Sequence, residues 1–415
     1  MRGGLAAALV GVAGLALPFV VGDPAASWEG RRDALVSVFD LGGRARFGDV
    51  NPSLRAARRL ARDPRAPLYD KVEASGSSFI YPPLALALYR PFAGRDVEDA
   101  RRGIIVANHV LFAGICVLLA LYVARQRPAS RWEAALVIPA ALLFHPLTRA
   151  LEINQATLAV TFFLAVAWVA LGEGWPAAAG AALAAAAAIK PHLVLVLPFF
   201  AWSARRVVAG ALAAGAALLL ASLLYAGISN HVDYVTRVLP MVSAGYAFYP
   251  NQSWNGLFNR FYDQPPLTEF VLAPPRATVQ AVTLLCGAAT YAAGLWAVWR
   301  ARARMLPATL LLSLAWITTT LVSPISWEHH YAPGLFALAT IYVISRERGF
   351  SVGFGVAAAA AFALMAGYFE VRGLQGAGPR LLASYVFAAG ILLMAVCVAA
   401  LRPAGERPPV PRGTA

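Results

Sequence analysis

Long apolar segments recur through most of this chain, and they constrain its fold more than any other feature of the sequence. A helix that crosses a bilayer needs about 20 mostly apolar residues, and segments of this kind alternate here with polar loops. Hydrophobic residues make up 59% of the chain and charged residues only 13%, against roughly 25% charged residues in soluble proteins. The sequence therefore predicts an all-α polytopic membrane protein.

We predict roughly twelve transmembrane helices. The predicted spans lie near Leu5–Val21, Gly103–Val123, Trp132–Thr148, Thr157–Leu171, Val207–Tyr225, Ala277–Trp299, Leu306–Val322, Tyr331–Ile344, Val352–Tyr368 and Leu381–Leu401. Two shorter segments, Ala177–Ile189 and Leu193–Ala204, flank Lys190-Pro191-His192 and are predicted to form a broken or re-entrant pair. The first span has a basic start typical of a signal peptide, and we expect it to remain as an uncleaved helix.

Arginine clusters predict the orientation of these spans. When the predicted spans are counted along the chain, the clusters at 125–127, 205–206, 300–304 and 346–348 all fall on the same side of the membrane. Arginine clusters of this kind face the cytoplasm. Residues 1–401 are thus predicted to form one integral membrane domain, with extracytoplasmic loops at 22–102 and 227–275. The Pro- and Arg-rich tail, 402–415, is predicted to be disordered and cytoplasmic.

The net charge of +14 does not indicate nucleic-acid binding, because the basic residues form short clusters between apolar segments. The three cysteines, Cys116, Cys286 and Cys397, lie inside apolar segments without the spacing of metal ligands, which predicts core positions. We expect neither a metal nor another cofactor.

The first long loop combines an acid, a basic helix and an aromatic segment. Asp49 is followed by an amphipathic stretch, Leu54–Arg62, whose apolar residues recur at helical spacing, and then by Phe79–Pro83. This order favours a catalytic loop with an interfacial helix at the membrane surface. Asp49 directly precedes that helix and is our candidate general base, with Asp40, which precedes Gly42-Gly43, as the alternative.

Polar residues at the ends of other spans complete the candidate site. The segment Ser323–His330, SPISWEHH, places Trp327, His329 and His330 between two apolar spans. These histidines either contact a phosphate or cap a helix end. Lys190 either meets the phosphate of a lipid carrier or extends to the interface. Further candidates for binding substrate are Asn154, Gln155, Asn251, Gln252 and Arg260; residues 251–253 also match a glycosylation acceptor.

Several of these motifs occur in an order that resembles glycosyltransferase family 87. They are Asp49, Leu68-Tyr69-Asp70, Phe79–Pro83 with Tyr81, Asn154-Gln155, Lys190-Pro191, Asn251-Gln252-Ser253 and Ser323–His330. The resemblance implies a GT-C fold and an inverting mannosyltransferase that takes mannose from a polyprenyl phosphate carrier. It further implies a lipid or glycan acceptor and an active site outside the plasma membrane. The family commonly has Gly-Gln where this chain has Asn154-Gln155.

Two alternatives remain open from the sequence. A GT-C transferase for arabinose or glucose would share every feature above. A transporter or flippase of a lipid-linked sugar would also have many spans, but it would place ionisable groups near the midplane of several helices. Here such groups lie mostly in loops and at span ends.

Overall fold

The computed structural model describes residues 24–40, 50–69, 78–262, 267–268, 270, 276–348, 351–369 and 381–402. The first predicted span and the C-terminal tail from 403 onwards lie outside these residues. The described helices are α1 (Pro24–Ser37), α2 (Val50–Arg62), α3 (Val97–Gln126), α4 (Val137–Leu143), α5 (His145–Glu152), α6 (Thr157–Gly172), α7 (Pro176–Ile189), α8 (Arg205–Asp233), α9 (Leu239–Ser243), α10 (Trp254–Tyr262), α11 (Ala277–Ala301), α12 (Ala308–Val322), α13 (Gly334–Arg348), α14 (Val352–Ala366) and α15 (Tyr385–Ala400).

Several of these helices are apolar enough to lie in a membrane, which confirms the predicted helical membrane class. Three helical segments in the described part of the chain are long enough to cross a bilayer by themselves: α3 (Val97–Gln126), the continuous segment Arg205–Ser243, which joins α8 to α9 through a π-helical turn, and α11 (Ala277–Ala301). Six shorter apolar helices of 10–17 residues accompany them. The total of roughly twelve spans stays a prediction.

The segment predicted as one span at Trp132–Thr148 is bent in the structure. A 3-10 helix at Pro128–Leu136 and α4 precede Phe144, and α5 leaves in a direction 57° away. Pro146 lies in the first turn of α5. It has no N–H to donate, and its ring would clash with the carbonyl of residue 142, so α4 cannot continue as a regular helix through this position. The hydropathy pattern alone did not reveal this break.

The break predicted around Lys190 is present. Helix α7 ends at Ile189, Lys190 adopts an extended backbone, and a 3-10 helix runs from Pro191 to Phe200. Proline at the start of the second segment cannot continue the hydrogen bonding of α7. This arrangement places the Lys190 side chain at the junction of two apolar helices.

Helices α7 and α8 pack closely along their length. A Cβ atom on Gly180 would overlap the backbone of Val207 in α8, so only glycine fits at this approach. The central core of the bundle contains a group of aromatic residues, in which Trp168 of α6 contacts Trp316 of α12 and Phe336 of α13 at centroid distances of 6.5 and 5.7 Å. These contacts hold the apolar helices in a fixed arrangement around the polar loops.

The arginine clusters lie together at one end of the bundle. Glu133 pairs with Arg127 at 3.2 Å and Arg346 at 4.0 Å, while Arg304 and Arg348 donate to the carbonyls of Leu401 and Ala400. The loops with the candidate site residues connect the opposite helix ends. The sequence likewise predicts that all four arginine clusters lie on one side of the membrane; which side faces the cytoplasm stays a prediction.

Helix α2 forms where the amphipathic pattern of the first loop predicts a helix. Its buried residues, including Leu54, Ala57 and Leu60, face the protein, and the helix packs against the 3-10 segments Pro83–Leu88 and Arg90–Phe92. Its apolar side is therefore covered by the chain itself, and its exposed arginines face outwards. The segment 79–92 is short and irregular, as expected of a loop that does not span the membrane.

Candidate functional site

Two loops that are distant in sequence pair at the site. Asn251 and Trp327 form an antiparallel bridge, and the backbone N–H of Gln252 donates to the Ser326 carbonyl at 2.6 Å. The Asn251 side chain accepts from the Ser326 amide at 3.0 Å. These bonds fix the histidine loop, residues 323–330, against residues 251–253.

The polar residues behind this pairing are fully enclosed. Gln252 donates to the Ala383 carbonyl at 2.7 Å, and Arg260 donates to the Asn251 carbonyl at 2.8 Å and to Ser384 Oγ at 2.6 Å. Asn251, Gln252 and Arg260 are all at most 1% exposed. Their contacts hold the loops, and they leave Asn251 inaccessible to a glycosylating enzyme.

Trp327 belongs to an aromatic cluster next to its bridge with Asn251. Its ring lies 5.3 Å from Tyr246, 6.0 Å from Phe248 and 5.7 Å from Phe270 between centroids. Rings at these separations attract one another beyond simple burial. The cluster fixes the residue that precedes Glu328 and the histidine pair.

Lys190 and His330 are in direct contact, Nζ to Nε2. Lys190 is 8% exposed, and the rings of His329 and His330 meet edge to face at 4.7 Å. Burial, and then the Lys190 ammonium, hold the pKa of His330 well below its usual value, so this imidazole is neutral and accepts from the lysine. The structure thus brings together three of the predicted phosphate-binding residues.

Arg149 joins the histidine loop to the turn that follows α5. Its guanidinium lies 2.6 Å from a carboxylate oxygen of Glu152 and 3.5 Å from one of Glu328. Both acids are buried, so this ion-pair group is shielded from water. Arg149, Glu152 and Glu328 were not among the predicted site residues, although all three are charged residues at span ends, the signal that selected Lys190.

The turn at residues 152–155 also contacts the first loop. Tyr81 donates through its hydroxyl to Gln155 Oε1 at 2.9 Å, and Tyr69 donates to the Tyr81 carbonyl at 2.6 Å. Asn154 is 2% exposed and has a φ of 52°, the one positive value among the non-glycine residues that the structure describes. Its side chain accepts from Asn108 of α3 at 3.0 Å.

An apolar cavity of about 580 Å³ lies beside Lys190. Its walls come from Pro82 and Pro83, from α7, from the 3-10 helix that begins at Pro191, and from α8. Ser222 and His231, which contact each other at 2.8 Å, are polar residues of its wall, together with Tyr234. A cavity with this lining suits a long hydrocarbon chain.

Of the two candidate bases, Asp49 lies outside the described residues. Asp40 is described, and it lines a smaller polar cavity together with Glu152 and Asn154. Within the described ranges no group of three or more His, Cys, Asp and Glu residues is placed to hold a metal ion. The expectation that the protein needs no cofactor stays a prediction.

Comparison with known proteins identifies one family. The model described as glycosyltransferase family 87 matches residues 79–324, more than half of the chain. The match includes Tyr81, Asn154, Lys190, Asn251 and the start of the histidine loop. None of the curated proteins matches the chain.

Proposed function

This chain belongs to glycosyltransferase family 87 and is a membrane glycosyltransferase, and we propose that it transfers mannose, with inversion, from a polyprenyl phosphate carrier to a hydroxyl of a lipid or glycan. The carrier would be an amphiphile with a charged phosphate and a long apolar chain. The site must therefore offer a cation and an apolar groove next to each other.

The contact between Lys190 and His330 beside the apolar cavity carries this proposal. Pro191, the residue after Lys190, lines the cavity, so a phosphate at the ammonium would leave its prenyl chain among α7, α8 and the 3-10 helix. A charge-assisted contact between an ammonium and phosphate is roughly twice as strong as a neutral hydrogen bond. The cavity then selects a lipid-linked donor over a soluble nucleotide sugar.

The histidine pair extends the phosphate site. His329 is 5% exposed, and its Nε2 atom has no hydrogen-bond partner among the described residues. A buried polar nitrogen without a partner is unfavourable, and a phosphate oxygen would satisfy it. Lys190, His329 and His330 would thus stabilise the charge that develops on the leaving phosphate.

The reaction would be a single displacement. The acceptor oxygen forms a bond to the anomeric carbon, and the bond from that carbon to the phosphate oxygen breaks with its electron pair. Asp49 would take the hydroxyl proton as the general base. Polyprenyl phosphate then leaves with its charge balanced by Lys190, and no divalent cation is needed.

The remaining candidate residues would shape the site around these groups. Asn251, Gln252 and Arg260 have contacts that support a positioning role, because they hold the histidine loop in place. Trp327, Tyr81, Asn154 and Gln155 would contact one of the two substrates. These roles stay proposals for the same site.

We propose that this site faces the outside of the plasma membrane in a GT-C fold of roughly twelve spans. The separation of the arginine clusters from the site loops supports this orientation, because clustered arginines face the cytoplasm. Residues 22–102 and 227–275 would then be the large outer loops.

One experiment tests the proposed reaction. Purified protein receives one radiolabelled donor at a time, either polyprenyl-phosphate mannose, glucose or arabinose or a nucleotide sugar, with a membrane lipid extract as the acceptor. Transfer from the mannose donor is expected, and transfer from one of the other donors alone would reassign the sugar. If no lipid-linked donor is used while a nucleotide sugar is, the proposed carrier is wrong.

A further inference from the structure

A second cavity, of about 240 Å³, lies next to the turn at residues 152–155. Its walls come from three elements: α1 with the residues after it, α3, and the end of α5 with its turn. The polar lining residues are Arg32, Asp33, Ser37, Asp40, His109, Glu152 and Asn154. We call it the polar cavity.

The lining of the polar cavity differs in chemistry from that of the apolar cavity. Carboxylates accept hydrogen bonds, a guanidinium donates them, and an amide side chain does both. A ligand covered with hydroxyl groups meets these requirements, since each hydroxyl is a donor and an acceptor. The volume is below the roughly 300–1,000 Å³ of sites for drug-sized ligands, which limits the occupant to about one sugar ring.

The wall of this cavity is rigidly held. His109 lies with Nδ1 2.8 Å from the Ile105 carbonyl and Nε2 3.1 Å from the Ser37 carbonyl, so it joins α3 to the end of α1. Asn154 is held in a left-handed backbone conformation while Asn108 binds its side chain. Asparagine is one of the few residues that adopt this conformation readily, and the hydrogen bond from Asn108 fixes the direction of its side chain.

The polar cavity is connected to the proposed phosphate site through one arginine. Glu152 on its wall pairs with Arg149, and Arg149 pairs with Glu328, the residue before His329. On the other side of the same turn, Gln155 binds Tyr81, which precedes Pro82 and Pro83 on the wall of the apolar cavity. The turn therefore lies between the polar cavity and the apolar cavity.

We propose that the polar cavity binds the acceptor, as the sugar ring that bears the hydroxyl to be glycosylated. This inference rests on the proposed function, because it assigns the second substrate of the same reaction. Asp40 and Asn154 would bind ring hydroxyls, and Glu152 would connect the bound ring to the phosphate site through Arg149. The acceptor would thus approach the donor sugar from the side opposite to the prenyl chain.

Protection from alkylation tests this assignment without relying on turnover. In a background without Cys116, Cys286 and Cys397, Ser37→Cys reports on the polar cavity, Leu84→Cys on the apolar cavity, and Ser243→Cys serves as the exposed control. Each variant is treated with a maleimide in detergent, alone, with polyprenyl phosphate, or with the methyl glycosides of mannose, glucose, galactose and arabinose. Sorbitol at the same concentration controls for solvent effects.

We expect at least one methyl glycoside to slow the alkylation of Ser37→Cys several-fold and to leave Leu84→Cys and Ser243→Cys unchanged. Polyprenyl phosphate should protect Leu84→Cys. If it does so and no glycoside protects Ser37→Cys better than sorbitol, the assignment of the polar cavity is wrong and the donor site stands. If polyprenyl phosphate fails to protect Leu84→Cys, the proposed donor site is wrong.

A second variant separates binding from a general effect on the fold. Asn154→Gly removes the amide and keeps the left-handed backbone, because glycine adopts positive φ without strain. It should abolish glycoside protection and raise the acceptor KM about tenfold, the scale of one lost hydrogen bond, with an unchanged donor KM. Equal increases in both KM values, or retained protection, would contradict the assignment. Asp63→Asn, at an exposed position just after α2, is the control.

Discussion

Lys190 and His330 are in contact although 140 residues separate them in the sequence. The contact joins the break after α7 to the loop between α12 and α13, two places where apolar helices end. A buried ammonium is unfavourable unless a partner compensates it, and a neutral imidazole compensates it without cancelling its charge. His330 is thus one partner of the buried Lys190 side chain, and in the proposed site a phosphate would be a further partner.

Substitution of Lys190 should impair catalysis more than stability. Lys190→Ala is expected to reduce turnover by roughly ten- to a hundredfold, because a charge-assisted contact contributes about 1.5 to 3 kcal/mol. The measurement is the initial rate with the labelled donor, alongside the unfolding temperature in detergent. Arg302→Ala, at the end of α11 among the arginine clusters, is the control and should keep full turnover. A normal rate for Lys190→Ala would contradict the proposed contact between Lys190 and the donor phosphate.

The two candidate bases can be distinguished by their kinetics. Asp49→Asn keeps the shape of the side chain and removes its basicity, so kcat should fall by about a hundredfold or more. Asp40→Asn should instead raise the acceptor KM, because Asp40 lines the polar cavity. Initial rates over a range of acceptor concentrations measure both parameters. An active Asp49→Asn together with an inactive Asp40→Asn would make Asp40 the base.

The close approach of α7 and α8 predicts a difference between two glycines. Gly180→Ala places a methyl group against the backbone of α8 and should destabilise the protein by about 1 to 3 kcal/mol. Gly215→Ala, whose new methyl would lie 4.0 Å from Ala184 Cβ, should be neutral or stabilising, because alanine favours helices. Thermal unfolding in detergent compares the variants, and equal unfolding temperatures would contradict the packing of α7 against α8.

Acidification should destabilise the protein through the histidine pair. Burial, and then the charges of Lys190 and Arg149 and the neighbouring His145, hold the pKa of His329 well below its usual value. The unfolded chain therefore binds more protons, so stability is complete above about pH 6.5 and is lost progressively below it, by up to about 1.4 kcal/mol per pH unit for each histidine. His329→Gln should flatten the dependence of the unfolding temperature on pH between 7 and about 5. An unchanged slope would show that His329 titrates normally.

The proposed orientation can be tested by labelling single cysteines in cells. Thr236→Cys, after α8, should react with an impermeant reagent, whereas Ser203→Cys, before Arg205, should react only after permeabilisation. Both residues are exposed, so the comparison depends on the side of the membrane and not on burial. The reverse pattern would place the site in the cytoplasm.

Local chemistry explains what the sequence could predict. The helix at Val50–Arg62 follows from its apolar spacing, and the break at Lys190 follows from the proline after it. The bend at Phe144 was missed because hydropathy is averaged over a window and does not register a single proline, although Pro146 indicated that a helix could not continue through it.

The contacts within the site depend on distant parts of the chain, which no local pattern encodes. Arg149 could not be linked to Glu328 from the sequence, because their pairing depends on how α5 and the histidine loop pack. In the same way, the charge of Arg260 suggests a ligand-binding residue, and only the fold shows that it donates hydrogen bonds to Asn251 and Ser384. Charge and position thus indicate which residues are important, while packing decides what each one contacts.

The turn at residues 152–155 has a consequence for the order in which the two substrates bind. With Glu152 on the wall of one cavity and Gln155 bound to Tyr81 at the border of the other, the two substrates would lie on opposite sides of this turn. The donor would arrive by lateral diffusion in the bilayer and the acceptor ring from the opposite side of the turn. Binding in either order would therefore produce the same ternary complex, the state in which a direct displacement occurs without a glycosyl-enzyme intermediate.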